Sequence, residues 1–238
     1  MAETPAALLA GALRRDPAGP LLTFYDDATG ERTELSATTL ANWVAKTANL
    51  LTDELDVEAG DPVYVDLPAH WQSAVVLLAL WSLGAVPKAM PAGCTLAVAD
   101  EPSIPAALAS GVRDVLGLAL APMNAKLRAA PAGVVDYAAV VLGAGDAFAV
   151  MSPSGSGETQ AARLRVAQWG LGRGERLLVA AARGLDDAVE WLLAPLASDS
   201  SIVLCRHADP VALPRRVADE RVSATLGATV EGARRLDS

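Results

Sequence analysis

Lysine is scarce in this 238-residue sequence, where it occurs as Lys46, Lys88 and Lys126 and the formal net charge is −9. Binding to nucleic-acid phosphates depends on clustered lysine and arginine, and the sequence contains no basic stripe. We therefore expect no nucleic-acid partner. The excess of arginine over lysine, with abundant alanine and glycine, is typical of GC-rich coding, as in actinobacteria.

Cysteine and histidine are equally sparse, with two of each. Cys94 and Cys205 lie far apart in the sequence and neither belongs to a C-x-x-C motif, so we expect two reduced, packed thiols. With only His70 and His207 in addition, the sequence predicts no metal site.

Long apolar runs are also missing, because the longest, Ala74–Trp81, is far short of the roughly 20 residues that span a bilayer. At the N-terminus Glu3 precedes the apolar residues and Arg14 and Arg15 follow them. A secretory signal has the opposite order of charge. We expect a surface helix there, no membrane partner and a cytoplasmic location.

What the sequence does contain is an alternation of strand and helix patterns, and 52% of its residues are hydrophobic. In the first part we predict a β-hairpin, two helices and two strands. They are the hairpin strands Leu21–Tyr25 and Arg32–Leu35, a helix from the N-cap Ser36 to about Leu55, a strand Val63–Leu67, a buried helix Trp71–Leu83 and a strand Val86–Met90.

The middle of the chain is punctuated by prolines, and its signals are weaker. Strands at Thr95–Ala99 and Val115–Leu120 and short helices at Pro102–Ala109 and Asn124–Ala129 are the predicted elements. After it the alternation resumes, with no element predicted beyond Gly227. The predicted elements are strand Ala147–Met151, helix Glu158–Trp169, strand Arg176–Ala182, helix Leu185–Leu196, strand Ile202–Cys205, helix Val211–Glu220 and strand Val222–Leu226.

This alternation predicts an α/β fold of αβα layers with a mostly parallel sheet and two lobes. We expect a first α/β lobe at residues 1–100, which includes the N-terminal helix and the hairpin. An irregular connecting region at 101–145 and a second α/β lobe at 146–238 follow.

Two stretches resemble the front part of the AMP-forming, adenylate-forming superfamily, which includes acyl-CoA synthetases and peptide-synthetase adenylation domains. In Leu35–Val86 a helix is followed by the Gly60–Asp61 turn, a strand and a buried helix that ends in Gly-Ala-Val, and a proline comes next. Leu171–Cys205 resembles the family's stretch after its phosphate loop. The resemblance covers about two-thirds of the chain and implies the front of the large domain of such enzymes.

The family's phosphate loop is a Ser/Thr/Gly-rich turn that closes with Pro-Lys-Gly, so that backbone N–H groups and a lysine face the ATP phosphates. Its best match is 153–162, where Ala161 replaces the lysine and Glu158 adds a negative charge. At 4 Å, near a surface, such repulsion is roughly 4 kcal/mol. The resemblance nevertheless marks candidate nucleotide- or anion-binding residues, which are Ser154, Gly155, Ser156, Gly157 and Thr159.

The family's adenine, ribose and magnesium motifs, and the small domain with its catalytic lysine, would lie beyond the last residue of this sequence. We therefore assign no catalytic residue and no cofactor, with ATP or AMP as a possible ligand. Our first hypothesis is a catalytically inactive relative that acts as a binding, regulatory or interaction protein, as a homo-oligomer or with a protein partner.

Two alternatives stay open from the same residues. One is a nucleotide or acyl-adenylate binding protein with a degenerate phosphate loop. The other is an AMP-forming, acid-activating ligase fragment that a partner chain completes. Elsewhere, His70 is expected to start or pack a helix. Cys205 with His207 could suggest a nucleophile and base, but we favour two packed structural residues.

Overall fold

The computed structural model describes residues 2–237, which contain eleven strands. The strands are β1 (Pro20–Asp26), β2 (Glu31–Ser36), β3 (Pro62–Asp66), β4 (Val86–Lys88), β5 (Leu96–Asp100), β6 (Asp114–Leu118), β7 (Val134–Asp136), β8 (Arg176–Val179), β9 (Ser201–Arg206), β10 (Ala224–Leu226) and β11 (Arg234–Leu236).

Eight α-helices connect these strands within the same residues. The helices are α1 (Pro5–Arg15), α2 (Ala37–Asp53), α3 (Trp71–Leu83), α4 (Ile104–Ala109), α5 (Tyr137–Val140), α6 (Ser156–Trp169), α7 (Ala194–Ala197) and α8 (Leu213–Asp219). A 3₁₀ turn, Val141–Gly143, follows α5, and a π-helical segment, Val189–Leu193, runs directly into α7. None of the described helices is both long and apolar enough to cross a bilayer.

The strands form two sheets in which parallel pairing dominates. One sheet has the order β11-β10-β8-β9-β1-β2 and the other β4-β3-β5-β6-β7. Among the strands of residues 2–237, only the hairpin pair β1 and β2 is antiparallel, and the remaining pairs are parallel. The predicted mixed α/β class with mostly parallel sheets is confirmed.

Helix α3 is the centre of the fold, and all thirteen of its residues are buried. It contacts α1 and α2, strand β1 of the six-stranded sheet and strand β4 of the other. Its sequence explains this position, because a helix that is apolar around its whole circumference must be covered on every side. Gly84 ends α3 in the left-handed conformation with φ of 99°, which a residue without Cβ adopts freely.

Most of the predicted elements are present near their predicted bounds. The hairpin, the Ser36 cap, α2, β3 and α3 lie where periodicity and turn residues placed them, and Ser36 accepts a hydrogen bond from the Thr39 N–H. Helix α6 and strand β9 are also confirmed. Strand β11 is an addition, in the tail for which no element was predicted.

Two predicted elements are absent, and a third lacks helical geometry at its start. Residues 147–151 form no strand, although their apolar composition suits one, because they pair with no neighbouring strand. Residues 124–129 form no helix, since Met123 and Asn124 have positive φ. The helix predicted from Leu185 is replaced by turns at residues 184–187, and the π-helical segment starts at Val189.

Strand pairing does not follow the order of the chain. The hairpin of β1 and β2, which we expected in a lobe of residues 1–100, forms a sheet with strands of the C-terminal half. Residues 101–145, expected to be irregular, contain α4, α5 and the two strands β6 and β7 that extend the five-stranded sheet. The domain boundaries themselves stay a prediction.

Candidate functional site

The phosphate-loop-like segment, Ser152–Thr159, lies against the C-terminal end of α3. Its Ser154 N–H donates to the Trp81 carbonyl at 2.9 Å, and the Ser154 hydroxyl donates to the Ala85 carbonyl at 2.6 Å. Both polar groups of this half-buried serine are thus bonded to the backbone of the α3–β4 connection. They tie the segment to the central helix.

Gly155 is held in a close contact at the same junction. Its φ is 83°, and a Cβ built on it would lie 2.7 Å from Cδ1 of Trp81 and 2.9 Å from the Pro5 ring. Gly84 is similarly confined, because a Cβ there would lie 2.3 Å from the Ser152 carbonyl oxygen. These two glycines let the segment and the end of α3 approach each other, which is a packing reason for their identity.

The other three candidate residues form the first turn of α6. Thr159 is 1% exposed, and both its N–H and its hydroxyl donate to the Gly155 carbonyl at 3.0 Å. Ser156 and Gly157 are exposed, and no side chain caps the helix at Gly155. Ser156 and Gly157 are therefore the candidate residues with the greatest access to solvent.

The charges around this turn give little support to an anion. Glu158 is exposed in the first turn, and the lysine-replacing Ala161 is exposed one turn later. The arginines of α6 are already engaged, since Arg163 bonds Glu3 at 2.7 Å and Arg165 bonds Glu190 at 2.7 Å. The geometry can therefore offer an anion a few N–H groups but no nearby lysine ammonium at the expected position.

The pair Cys205 and His207 at the end of β9 does not form a nucleophile and base. The Arg216 guanidinium donates to the Cys205 sulfur at 3.5 Å, whereas Nδ1 of His207 lies 2.9 Å from the buried Asp26 carboxylate. Burial raises the pKa of the Cys205 thiol to about 11, so the sulfur stays protonated at neutral pH. Two packed structural residues are what the structure contains here.

Sequence reasoning missed a charge network around Glu220, the residue that follows α8. Arg176 donates to Glu220 at 2.5 Å, and Arg32 and Tyr25 bond the same carboxylate. Burial disfavours the charged form, but these hydrogen bonds outweigh it and lower the pKa of Glu220 to about 2. The network borders a cavity of about 570 Å³, and no sequence signal links partners as distant as 188 residues.

A second cavity, of about 470 Å³, opens at the carboxyl ends of β3 and β5. Asp66, Asp100 and the Arg183–Asp186 loop after β8 line it. Open α/β sheets bind ligands at this edge, and that rule was the available signal. Within residues 2–237 no three histidine, cysteine, aspartate or glutamate side chains stand close enough to share a metal ion.

Solved structures with this arrangement of sheets and helices are acyl-CoA synthetases and related ligases. An acyl-CoA synthetase of Brucella canis superposes with a TM-score of 0.74 at 17% identity, over 94% of this chain and 47% of its own. An acetoacetyl-CoA synthetase of Streptomyces lividans superposes with a TM-score of 0.75 at 18% identity, over 94% of this chain and 42% of its own. The anthranilate CoA ligase AuaEII, solved with anthranoyl-AMP, superposes with a TM-score of 0.74 at 12% identity, over 94% of this chain and 49% of its own.

The chain therefore has the fold of the adenylate-forming enzymes and spans less than half the length of these three structures. No protein-family model matches it. A TIGR03089 family protein of Mycobacterium tuberculosis is 41% identical over 234 residues, which cover 92% of this chain and 96% of that protein. The chain belongs to the TIGR03089 family.

Proposed function

We propose that this protein is a catalytically inactive relative of the AMP-forming ligases, and that it acts as a binding or regulatory protein through contacts with another protein chain. The observation that carries the proposal is the state of the phosphate-loop-like segment. The polar groups of Ser154 bond the backbone at the end of α3, and Gly155 lets the segment pack closely there because it has no side chain. Thr159 bonds the Gly155 carbonyl within the first turn of α6.

Charge supports the same proposal. In-line phosphoryl chemistry needs cations that neutralise the developing charge. Ala161 stands at the lysine position, Glu158 is exposed beside it, and Arg163 is already bonded to Glu3. The segment therefore serves as a structural junction in the proposed function.

Exposed apolar side chains near that junction support a protein contact. Met151 is 84% exposed and Leu164 of α6 is 68% exposed, and Leu142 and Val150 are exposed in the connection that leads to the segment. Exposed apolar side chains that form a continuous patch mark interaction sites in many proteins, and we propose that these side chains belong to one. A second copy of the chain or a different protein would cover it.

Ligand binding and turnover test the inactive assignment. We expect calorimetry to detect no heat with millimolar ATP, AMP or a non-hydrolysable acyl-AMP analogue, and a panel of carboxylates with ATP and Mg²⁺ to release no pyrophosphate. The matched control is the double variant Glu158→Gln/Ala161→Lys, which restores the missing cation and should gain measurable ATP binding. Pyrophosphate release by the unmodified protein, lost in Ser156→Ala, would instead favour an active ligase.

Sedimentation tests the interaction part. Analytical ultracentrifugation at micromolar concentration should give a self-associating species, or a monomer that sediments faster with a partner chain. Replacing Met151 and Leu164 by serine should weaken that association while leaving the folded signal unchanged. Association that is identical in this variant would place the contact elsewhere.

A nucleotide or acyl-adenylate binder is the second candidate, and one observation favours it. The first turn of α6 leaves Ser156 and Gly157 exposed with no capping side chain, so their N–H groups are available to an anion. Under this alternative Glu158→Gln alone would tighten binding of AMP, because a repelling carboxylate is removed. Under the main proposal that variant stays without measurable heat.

The proposal also places the protein in the cytoplasm. Cys94 and Cys205 are both buried, unpaired thiols, which suits a reducing compartment. Fractionation of cells that express a tagged chain would check the assignment.

A further inference from the structure

His70 caps the amino-terminal end of α3 with its ring. The backbone N–H of Gln72 donates to Nδ1 of His70 at 3.1 Å, and the side chain is 0% exposed. The ring also packs edge-on against Phe24 of β1, with 4.3 Å between ring centroids. A histidine therefore performs a task that serine, threonine, aspartate or asparagine performs in most helices.

The hydrogen bond fixes the tautomer of this ring. Because Nδ1 accepts a hydrogen bond, the neutral imidazole carries its hydrogen on Nε2. Nε2 lies 3.9 Å from the Glu31 carboxylate, beyond hydrogen-bond distance, and has no hydrogen-bond partner among the described residues. The ring is thus anchored through one nitrogen.

Glu31 connects the same site to two other elements. Its carboxylate accepts hydrogen bonds from the Trp71 indole at 3.0 Å and from the Thr33 hydroxyl at 2.8 Å. Trp71 in turn packs edge-on against Trp43 of α2, with 5.5 Å between ring centroids. The first turn of α3, the β1–β2 hairpin and α2 therefore meet at one buried polar cluster.

We propose that His70 makes this cluster acid-sensitive, so that protonation of the ring releases the first turn of α3 and its contact with the β1–β2 hairpin. A proton added to Nδ1 turns the acceptor into a donor that faces the Gln72 N–H, and the cap is lost. It also places a positive charge at the amino-terminal end of a helix, where the helix dipole disfavours cations.

The charged groups around the ring set the direction of its titration. Burial disfavours the charged ring most strongly, Glu31 of β2 and Asp26 of β1 favour it, and Arg206 of β9 disfavours it. The other elements packed nearby contribute uncharged groups. Trp43 of α2 packs against Trp71, and the Gln72 side-chain amide donates to Asn124 of the loop after β6. The net result lowers the pKa of His70 below its ordinary value of 6.5.

The sign of the effect follows from linkage. An opened or unfolded state, in which the ring is solvated, binds the proton more readily than the closed state does. Closed-state stability is therefore complete above about pH 6.5 and falls as the pH drops towards the lower pKa of the folded state. Glu220 makes its own contribution in a separate, more acidic window, because its pKa is about 2.

Hydrogen exchange between pH 7.5 and 5 tests the proposal on the full chain, after correction for the intrinsic pH dependence of exchange. We expect protection in Trp71–Ala74 and in β2 to fall by up to tenfold per pH unit below about 6.5. His70→Asn should keep the cap and lose this pH dependence, since asparagine accepts the N–H bond without titrating. His207→Asn removes the other histidine and should behave like the unmodified protein.

Nitrogen-15 NMR of the two histidines keeps the test independent of whether His70→Asn folds. At pH 7.5 the more buried ring should show a bare Nδ1 and a protonated Nε2, and its protonation should coincide with the loss of protection. Protection that is constant over this range, or that falls equally in a folded His70→Asn, would overturn the proposal. A ring protonated on Nδ1 at pH 7.5 would overturn it as well.

Discussion

The starts of α3 and α6 differ in almost every physical respect. Helix α3 begins at a fully buried imidazole that accepts a backbone N–H, and every one of its residues is buried. Helix α6 begins at Gly155 with no side-chain cap, and only Thr159, Ala162 and Trp169 of its residues are buried. The start of α3 is therefore excluded from solvent, whereas most side chains of α6 are not buried.

The comparison reverses what the sequence suggests about these two places. The Ser/Gly-rich segment before α6 has the composition of a ligand loop, yet Ser154 and Gly155 are used to pack it against α3. The start of α3 has the composition of a core helix, yet it holds a titratable ring with an unbonded nitrogen. Composition alone therefore does not separate structural from responsive sites in this chain.

The largest expected difference between the two helices is in the cost of deleting a leucine side chain. Leu78→Ala in α3 should lower the free energy of unfolding by about 3–5 kcal/mol, because the side chain is 0% exposed and leaves a cavity. Leu164→Ala in α6, where the side chain is 68% exposed, should change it by less than about 0.5 kcal/mol. Urea unfolding followed by circular dichroism measures both, and equal losses would contradict the contrast.

Replacing Gly155 or Gly157 by alanine compares a confined and an open position at the start of α6. Gly155→Ala should destabilise by about 2–3 kcal/mol, since its φ is positive and a Cβ would clash with Trp81 and Pro5. Gly157→Ala has no atom within 4 Å of the new Cβ and should stabilise α6 by about 0.5 kcal/mol. Thermal unfolding of the two variants side by side checks the prediction. A tolerated Gly155→Ala would show that the loop is open.

The smallest effect concerns the hydroxyl that ties the loop to α3. Ser154→Ala removes its hydrogen bond to the Ala85 carbonyl and should cost about 1 kcal/mol of unfolding free energy. Ser156→Ala, at an exposed position, is the control and should cost much less. The result would go against a structural role for Ser154 if the two variants were equally stable.

Local sequence predicts the elements that local forces decide. The Ser36 cap, the periodicity of α2, the apolar run of α3 and the Gly84 terminator each act within a few residues, and all are found. Residues 147–151 show the limit of such reasoning. Their β propensity is real, but a strand exists only where a neighbour supplies hydrogen bonds, and that depends on distant residues.

Of the candidate site, the sequence predicts the position of the loop but not its contacts. Ser154 bonds a carbonyl 69 residues away, and Gly155 contacts Pro5 and Trp81, which no local pattern reveals. The same holds for the Arg216–Asp27 ion pair, whose members are 189 residues apart. Such pairings follow from the order of strands in the sheets, which is a property of the whole chain.

The pairing of β1 with β9 also determines when the six-stranded sheet can form during translation. The hairpin at residues 20–36 leaves the ribosome early, but its parallel neighbour is not synthesised until residues 201–206. Until then one edge of the hairpin is unpaired and the apolar α3 lacks part of its cover. Closure of this pair, over a separation of about 180 residues, therefore has to wait until the C-terminal half of the chain has been synthesised.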